Sequence, residues 1–592
     1  MSRMIILSDI YDVRGTGGTK FRQHFLEEDE RSGMKTTAEF DLLVGDKLNL
    51  ESNIENSNYV GGKYLGSSKY NFWTRYMGPY TVASSIREKC PQMDVVVLDY
   101  FTKLDNFFEV FEQLVTPDTE YVALSVTFLN NPFNPKQKDF NLWHFSQEEC
   151  LDWFGRVKEI APKAKIIIGG AIVDTIYKQQ IVQKKTMKMA PVILEYVDYM
   201  FHGYSERTVV DFFNNNLDPS QVIGKDGVTF INEPALAGKG AIVTQTKWVK
   251  KDSVQPGEWL PLEISKGCRF GCKFCFYDHS GTVIKSPECL KQELLYNYEH
   301  FGTTGYQLTD DTVNDSIQKI KMMHDVIKSL PFDIEWIAYT RPDMFNKYPE
   351  MLDMMLDMGC RGMFLGVETF HHLAAKIAGK GLHPDKIKNI IKWIRDTAGD
   401  EVFLLASFII GLVGETEESL MDTASWLRDQ PYLDKAQYEI LFVSDDGGRT
   451  SNEFSNNRDK YGIHELKWNP EYYWKHETLD LPQAKQIALK WEDMLADHPT
   501  TQFERHSDYN VSFWAYPRLR SFGLSHANAK KVLVSQIVPD LVYRKNIEWV
   551  SNYHKDMVLN NQLDIRAESN TTWGYPLAEE GEFRNSWSKM KL

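Results

Sequence analysis

The sequence predicts an α/β protein in three parts: an open parallel sheet with covering helices, a partial (β/α)6 barrel, and a mainly helical C-terminal extension. Three observations predict this. Over residues 1–240, short β-branched runs alternate with amphipathic stretches, the pattern of a parallel sheet covered by helices. Six strand-then-helix units follow, with strands at Leu262–Ser265, Tyr306–Thr309, Ile334–Tyr339, Met363–Val367, Phe403–Ile410 and Tyr438–Phe442, which fits an incomplete barrel whose working face lies at the carboxyl ends of its strands. The remainder, 444–592, is rich in Trp, Tyr and Asn and offers a helical candidate at Leu481–Leu495.

In the first part, Met4–Ser8, Val95–Asp99, Tyr121–Thr127, Lys165–Ile168 and Val197–Phe201 read as strands, with helices at Pro79–Lys89, Glu148–Ile160 and Glu206–Asn215. Ligands of such a Rossmann-like sheet sit at the carboxyl ends of the strands. Ser125, Thr127, Gly169 and Gly170 fall there, and the glycines would let a flat, bulky ligand approach the backbone. Taken singly, each of these residues could merely end a strand. Taken together, they mark a candidate site. The stretch 16–75 is too long for an ordinary connection and reads as an inserted lid or subdomain. Asp226–Phe230 and the Gly-rich Ala237–Gly240 mark the exit from this domain. The expected boundaries are therefore 1–240, 255–443 for the barrel, and 444–592.

Composition narrows the class of function. A chain of 592 residues, 42% hydrophobic and 25% charged, has the balance of a folded multidomain protein. A net charge of −15 without a dense Lys/Arg run argues against nucleic acid as a partner. The apolar start before Asp9 is too short for a signal core, and the run Val402–Val413 is too short to span a bilayer. The expectation is a cytoplasmic protein with no membrane partner.

Seven cysteines form no disulfide framework in a chain of this size, but Cys268, Cys272 and Cys275 lie within eight residues. One specified spacing of this kind should arise by chance in about one such chain in a thousand. The run follows a predicted strand, which puts the thiols on the barrel's active face. Three thiolates on a four-iron cube leave one iron without a protein ligand, the open position that catalysis needs. Zinc is the alternative and would want a fourth ligand, for which His279 is the local candidate. Cys90, Cys150, Cys289 and Cys360 are scattered and read as buried apolar thiols.

With Phe274 just before the last cysteine, the C-x3-C-x2-C loop resembles that of the radical S-adenosylmethionine (SAM) superfamily. The likeness extends from Leu262 to Phe442. Tyr306–Thr312 resembles a strand-end segment near the methionine part of the cosubstrate, Phe364–Thr369 a Gly-Ile-Glu-Ser element, and Phe408–Thr416 a Gly-Leu-Pro-Gly-Glu-Thr run with Val413 in place of Pro. The resemblance implies an enzyme with a [4Fe–4S] cluster on the three cysteines. Its open iron would bind the amino and carboxylate groups of SAM, and reductive cleavage would yield a 5′-deoxyadenosyl radical shielded by the barrel. It also implies an electron donor such as flavodoxin or ferredoxin and a small-molecule or peptide substrate. Phe274 could border the adenine, and Asp310, Arg341 and Glu368, near strand ends, could hold the zwitterion and ribose. Each of the last three could equally be a structural salt bridge.

An α/β domain ahead of such a barrel resembles the cobalamin-binding subgroup, which includes methyltransferases and ring-forming enzymes. Tyr76–Tyr80, Gly169-Gly170 and Gly203–Glu206 stand where those relatives have similar residues. The loop Asp9–Gly15 lacks the histidine of Asp-x-His-x-x-Gly domains. Either cobalamin binds without a protein ligand below cobalt, or the domain has kept only the scaffold. Methylthiotransferases carry a further cysteine set in the first domain, and relatives with auxiliary clusters carry several late cysteines. This chain has neither. The readings left open are a cobalamin-dependent methyltransferase or related radical enzyme, a cobalamin-free radical SAM enzyme performing dehydrogenation, cyclisation or rearrangement, and a non-enzymatic iron–sulfur module.

Overall fold

The computed structural model describes residues 1–8, 59–60, 63–64, 74–99, 107–125, 147–182, 196–225, 227–233, 242, 244–275, 282–443, 452–467, 473–495, 502–505 and 513–535. Thr127, most of the 16–75 insertion, the Asp9–Gly15 loop and His279 lie outside them.

The N-terminal sheet contains β1 (Ser2–Leu7), which is followed by a short separate hairpin, β2 (Tyr59–Val60) and β3 (Lys63–Tyr64). Its other strands are β4 (Met93–Leu98), β5 (Thr119–Ser125), β6 (Lys165–Gly169), β7 (Val197–His202), β8 (Val222–Lys225) and β9 (Val228–Asn232), in the order β4-β1-β5-β6-β7-β9-β8. All pairs are parallel except β8 with β9. Successive residues go to opposite faces. Ile5, Leu7, Val96 and Leu98 pack with Phe111, Phe154 and Val157 on one face. Met4, Ile6, Val95 and Val97 pack with Tyr80, Ala83 and Ile86 on the other, in a core continuous with that of the barrel. Burial on both faces explains why these strands read as unbroken apolar runs. The stretch past Asp226, read as the exit from the first domain, holds one more strand of this sheet, with Val228–Asn232 pairing β7 in parallel.

The second sheet is formed by β10 (Leu260–Leu262), β13 (Gly305–Leu308), β14 (Glu335–Thr340), β15 (Cys360–Glu368), β16 (Phe403–Ile410), β17 (Lys435–Ile440) and β20 (Gln502–Arg505), in that order and all parallel. Between β10 and β13 runs a two-residue ladder of β11 (Ser265–Lys266) and β12 (Val283–Ile284). Between β17 and β20 stands the hairpin of β18 (Ile463–Lys467) and β19 (Tyr473–His476). Six barrel strands match the sequence expectation, and the seventh comes from the C-terminal segment. That segment enters the barrel a second time. Ile337, Phe364 and Leu405, which alternate with residues facing the covering helices, form a separate core with Phe513, Trp514, Tyr516 and Leu519. Trp514 and Tyr516 are therefore buried packing, at about 1.5–3 kcal/mol for each large apolar side chain removed from water.

Arg75, just ahead of helix Met77–Lys89, is fully buried and bonds Glu258 in a two-armed pair at 2.9 Å. Arg518 of the C-terminal helix Tyr516–Ser521 reaches the same carboxylate at 3.2 Å. One buried anion thus ties together the N-terminal part, the strand entering the barrel and the C-terminal segment. No helix among the described residues is long and apolar enough to cross a membrane.

Candidate active site

The three cysteines sit on the loop that β11 and β12 close at its base, Ser265 pairing Ile284 and Lys266 pairing Val283. The strand expected at Leu262–Ser265 is thus split in two. β10 stays in the barrel, and the chain then peels away at Ser265 to carry the loop. Asp310 enforces the departure: its carboxylate accepts from the Ile264 amide at 2.9 Å and from the Ser265 hydroxyl, with Lys319 at 3.4 Å. Both Asp310 oxygens are taken up in this way and the residue is buried. Its role in this geometry is to brace the loop.

Gly267 opens the loop with φ +76°, a conformation that a side chain would strain. Cys268 and Cys272 are buried and Cys275 is partly exposed. Burial pushes the Cys268 thiol up, while the Phe270 amide and the Thr312 hydroxyl pull it the other way. Arg341, at the end of β14, donates to Cys272 Sγ at 3.1 Å, bonds Asp343 through both arms at 2.9 and 2.8 Å, and lies 3.9 Å over the Phe270 ring. Burial works against its charge, but Asp343 and Cys272 outweigh that and hold its pKa above the ordinary arginine value. Among the described residues no three His, Cys, Asp or Glu converge on one point as a single metal ion requires. Thiolates of a cubane bind different irons and stand apart. A loop of three thiols with a guanidinium on one sulfur fits such a cluster.

Glu368 ends β15 at φ +72°, an uncommon conformation for a residue with a side chain. It pairs with Lys380 at 3.0 Å, and Lys380 also donates to the Gly366 carbonyl at 2.9 Å. The same ammonium lies 5.7 Å from the Phe274 ring, so the β15 end and the cysteine loop meet through one cation. Phe274→Ala should weaken SAM binding while iron content is retained, measured by equilibrium binding to the reconstituted protein. Loss of iron would show the ring to be packing for the loop.

At the next strand end, Glu415 accepts from Thr369 at 2.6 Å and from the Gly411 and Leu412 amides at 3.0 and 2.9 Å. Burial pushes its carboxyl up to about 8 against those bonds. His476 of β19 meets the Gly411 carbonyl at 3.0 Å. The turn with Val413 in place of proline is therefore pinned from two sides.

In the N-terminal sheet, Ser125 and Gly169 are register partners at adjacent strand ends, and Gly170 follows at φ +111°. Lys266 at the base of the cysteine loop bonds Glu206, lies 3.6 Å from Glu263 and 4.7 Å over the Tyr204 ring. The β7 end, where Gly203–Glu206 sits, thus touches the root of the cysteine loop. Cys90, Cys289 and Cys360 are buried away from it, as expected. Lys380, Lys319 and Asn452 were missed from the sequence. Asn452, from the C-terminal segment, donates to the Phe274 carbonyl at 2.9 Å.

Fold and site together define a (β/α) barrel that presents a three-cysteine loop at the carboxyl ends of its strands, joined to a parallel α/β sheet. Residues 262–427 match the family described as the radical SAM superfamily. The chain is similar to an uncharacterized methyltransferase of Pyrococcus horikoshii, 27% identical over 179 residues, covering 30% of this chain and 38% of the relative. It is also similar to the anaerobic magnesium-protoporphyrin IX monomethyl ester cyclase of Cereibacter sphaeroides, 23% identical over 292 residues, covering 45% of this chain and 44% of the relative. The matches thus span less than half the length of either curated relative. Among solved structures, the radical S-adenosylmethionine methyltransferase TsrM from Kitasatospora setae, with cobalamin and a [4Fe–4S] cluster bound, shares the fold. The TM-score is 0.58 at 12% identity, covering 93% of this chain and all of that one.

Proposed function

We propose that the chain is a radical SAM enzyme whose Cys268, Cys272 and Cys275 hold a [4Fe–4S] cluster, and that it performs a cobalamin-dependent methyl transfer or a related carbon-centred radical change. The observation that carries this reading is the Lys266–Glu206 bond, which puts the strand ends of the N-terminal sheet against the root of the cysteine loop. When bound, the cluster with SAM would supply a deoxyadenosyl radical and the corrin a methyl group.

The chain's own residues would then do the following. The three thiolates anchor the cluster and leave one iron to the cosubstrate. Arg341 holds Cys272 Sγ in place through its hydrogen bond. Glu368, with Lys380, and Phe274 border the space where ribose and adenine would lie. Ser125, Gly169 and Gly170 leave a side-chain-poor surface for a flat macrocycle, and the barrel keeps water from the radical. An external donor such as flavodoxin or ferredoxin would deliver the electron to the cluster, and the substrate would be a small molecule or a peptide. The fold likeness to TsrM and the name of the Pyrococcus relative support the methyltransferase reading.

The test is corrin content and its spectrum in anaerobically purified protein. Because Asp9–Gly15 holds no histidine, the electron paramagnetic resonance spectrum of the cob(II)alamin form should lack superhyperfine splitting from a lower axial nitrogen. His202, at the end of β7, has Nδ1 on Asn232 at 2.6 Å and Nε2 facing Asp174 at 3.5 Å, so neither nitrogen is presented to a cobalt. Turnover of SAM on a substrate with no corrin bound would favour the cobalamin-free radical enzyme.

A further inference from the structure

The segment between Cys272 and Cys275 is gripped from two sides, one of them outside the radical SAM match. The Lys273 amide donates to the Ala378 carbonyl at 3.0 Å, at the end of helix His372–Ala378. On the opposite side the Phe454 amide donates to the Lys273 carbonyl at 3.2 Å, and Asn452 Nδ2 donates to the Phe274 carbonyl at 2.9 Å and to the Phe442 carbonyl at 3.3 Å. Asn452 is buried, and its Oδ1 is committed elsewhere, accepting from the Ser455 amide at 3.0 Å to cap helix Glu453–Asn456. One amide side chain therefore splits its two ends, with the oxygen holding the C-terminal helix and the nitrogen holding the cysteine loop.

We propose that Asn452 is a positioning residue of the cysteine loop, through which the C-terminal segment fixes the spacing of Cys272 and Cys275 and so the stability and environment of the cluster they carry. The inference rests on the cluster reading above for its consequence, but not for its geometry. Within the loop itself the Cys275 amide donates to the Cys272 carbonyl at 3.2 Å.

The two ends of Asn452 can be separated by substitution. Asn452→Ser and Asn452→Asp both keep an oxygen for the helix cap and remove the amide Nδ2 that reaches the Phe274 and Phe442 carbonyls. The aspartate also turns a carboxylate toward two carbonyl oxygens. In the apo chain, amide exchange at Lys273, Cys275 and Phe454 should speed up by about fivefold in the serine variant, the loss expected for one hydrogen bond. It should speed up further in the aspartate variant, with exchange in Ile317–Lys328 unchanged. In the reconstituted protein, both variants should lose the cluster to chelator faster than the unsubstituted protein and show shifted paramagnetic resonance g-values for the reduced cluster. Wild-type exchange at those three amides in both variants would overturn the grip. Faster exchange with unaltered g-values and chelator kinetics would overturn the positioning role. Absence of any iron–sulfur cluster from the unsubstituted protein would instead strike the function proposed above and leave the exchange result standing.

Discussion

Replacing any one of Cys268, Cys272 or Cys275 by alanine should reduce iron in the anaerobically reconstituted protein from about four atoms per chain to near none. The physical ground is that a cube with only two protein thiolates leaves two irons open to solvent and exchange. The buried Cys289 and Cys360 are poor substitutes. Burial holds their thiols up at about 11 and about 12, disfavouring the thiolate that iron needs. Alanine at Cys90, Cys150, Cys289 or Cys360 should accordingly leave iron content unchanged. Paired iron and labile-sulfide assays check both halves. A stable tetrahedral zinc in the unsubstituted protein would sink the assignment.

The second large effect concerns assembly. Glu258→Gln should destabilise the protein by about 3 kcal/mol, the lower end of the range for breaking a buried ion pair by removing one partner. The lower end applies because Arg75 keeps other acceptors, the Asp252 and Ser253 carbonyls at 2.5 and 2.9 Å. Burial pushes the Glu258 carboxyl up, but Arg75 and Arg518 outweigh it and hold it below the usual value. A depressed carboxyl contributes its stabilisation fully above the unfolded pKa and loses it as pH falls through the folded value. The gap between variant and wild type should therefore be constant near neutrality and shrink below about pH 4. Urea midpoints across pH measure it. A pH-independent gap would show the loss to be one of packing. Arg75→Met with Glu258→Leu should recover part of the stability, since apolar pairs often replace buried ion pairs well.

The parts of the fold that the sequence revealed are those with strong periodicity. Phe403–Ile410 was expected residue for residue because its apolar run is buried on both faces, and Leu481–Leu495 because its pattern is helical. Residues 228–232 were missed as a strand because the Asp-Gly turn signal before them was read as a domain exit, whereas β9 pairs β8 in antiparallel inside the sheet. The ladder of β11 with β12 is two residues long and leaves no period to read. β20, Gln502–Arg505, has no apolar alternation, yet it completes the barrel by pairing β17.

The candidate site divides in the same way. The cysteines and Phe274 announce themselves by spacing, and Glu368 by its place in a strand-end motif. Asp310 looked like a cosubstrate ligand because it ends a strand. The structure spends both its oxygens on Ile264, Ser265 and Lys319, a use that depends on the departure of the chain at Ser265. Asn452 carries no signal at all, since its function depends on a contact 178 residues away in the chain.

The central claim is that the three-cysteine loop carries a four-iron cluster with one iron left open to SAM. Mössbauer spectroscopy of protein reconstituted with enriched iron, before and after SAM is added, tests it most directly. The prediction is that a single iron site of the cluster shifts on binding while the thiolate-held sites stay unchanged. A spectrum that SAM leaves unaltered, or a protein that takes up no cluster, would contradict it.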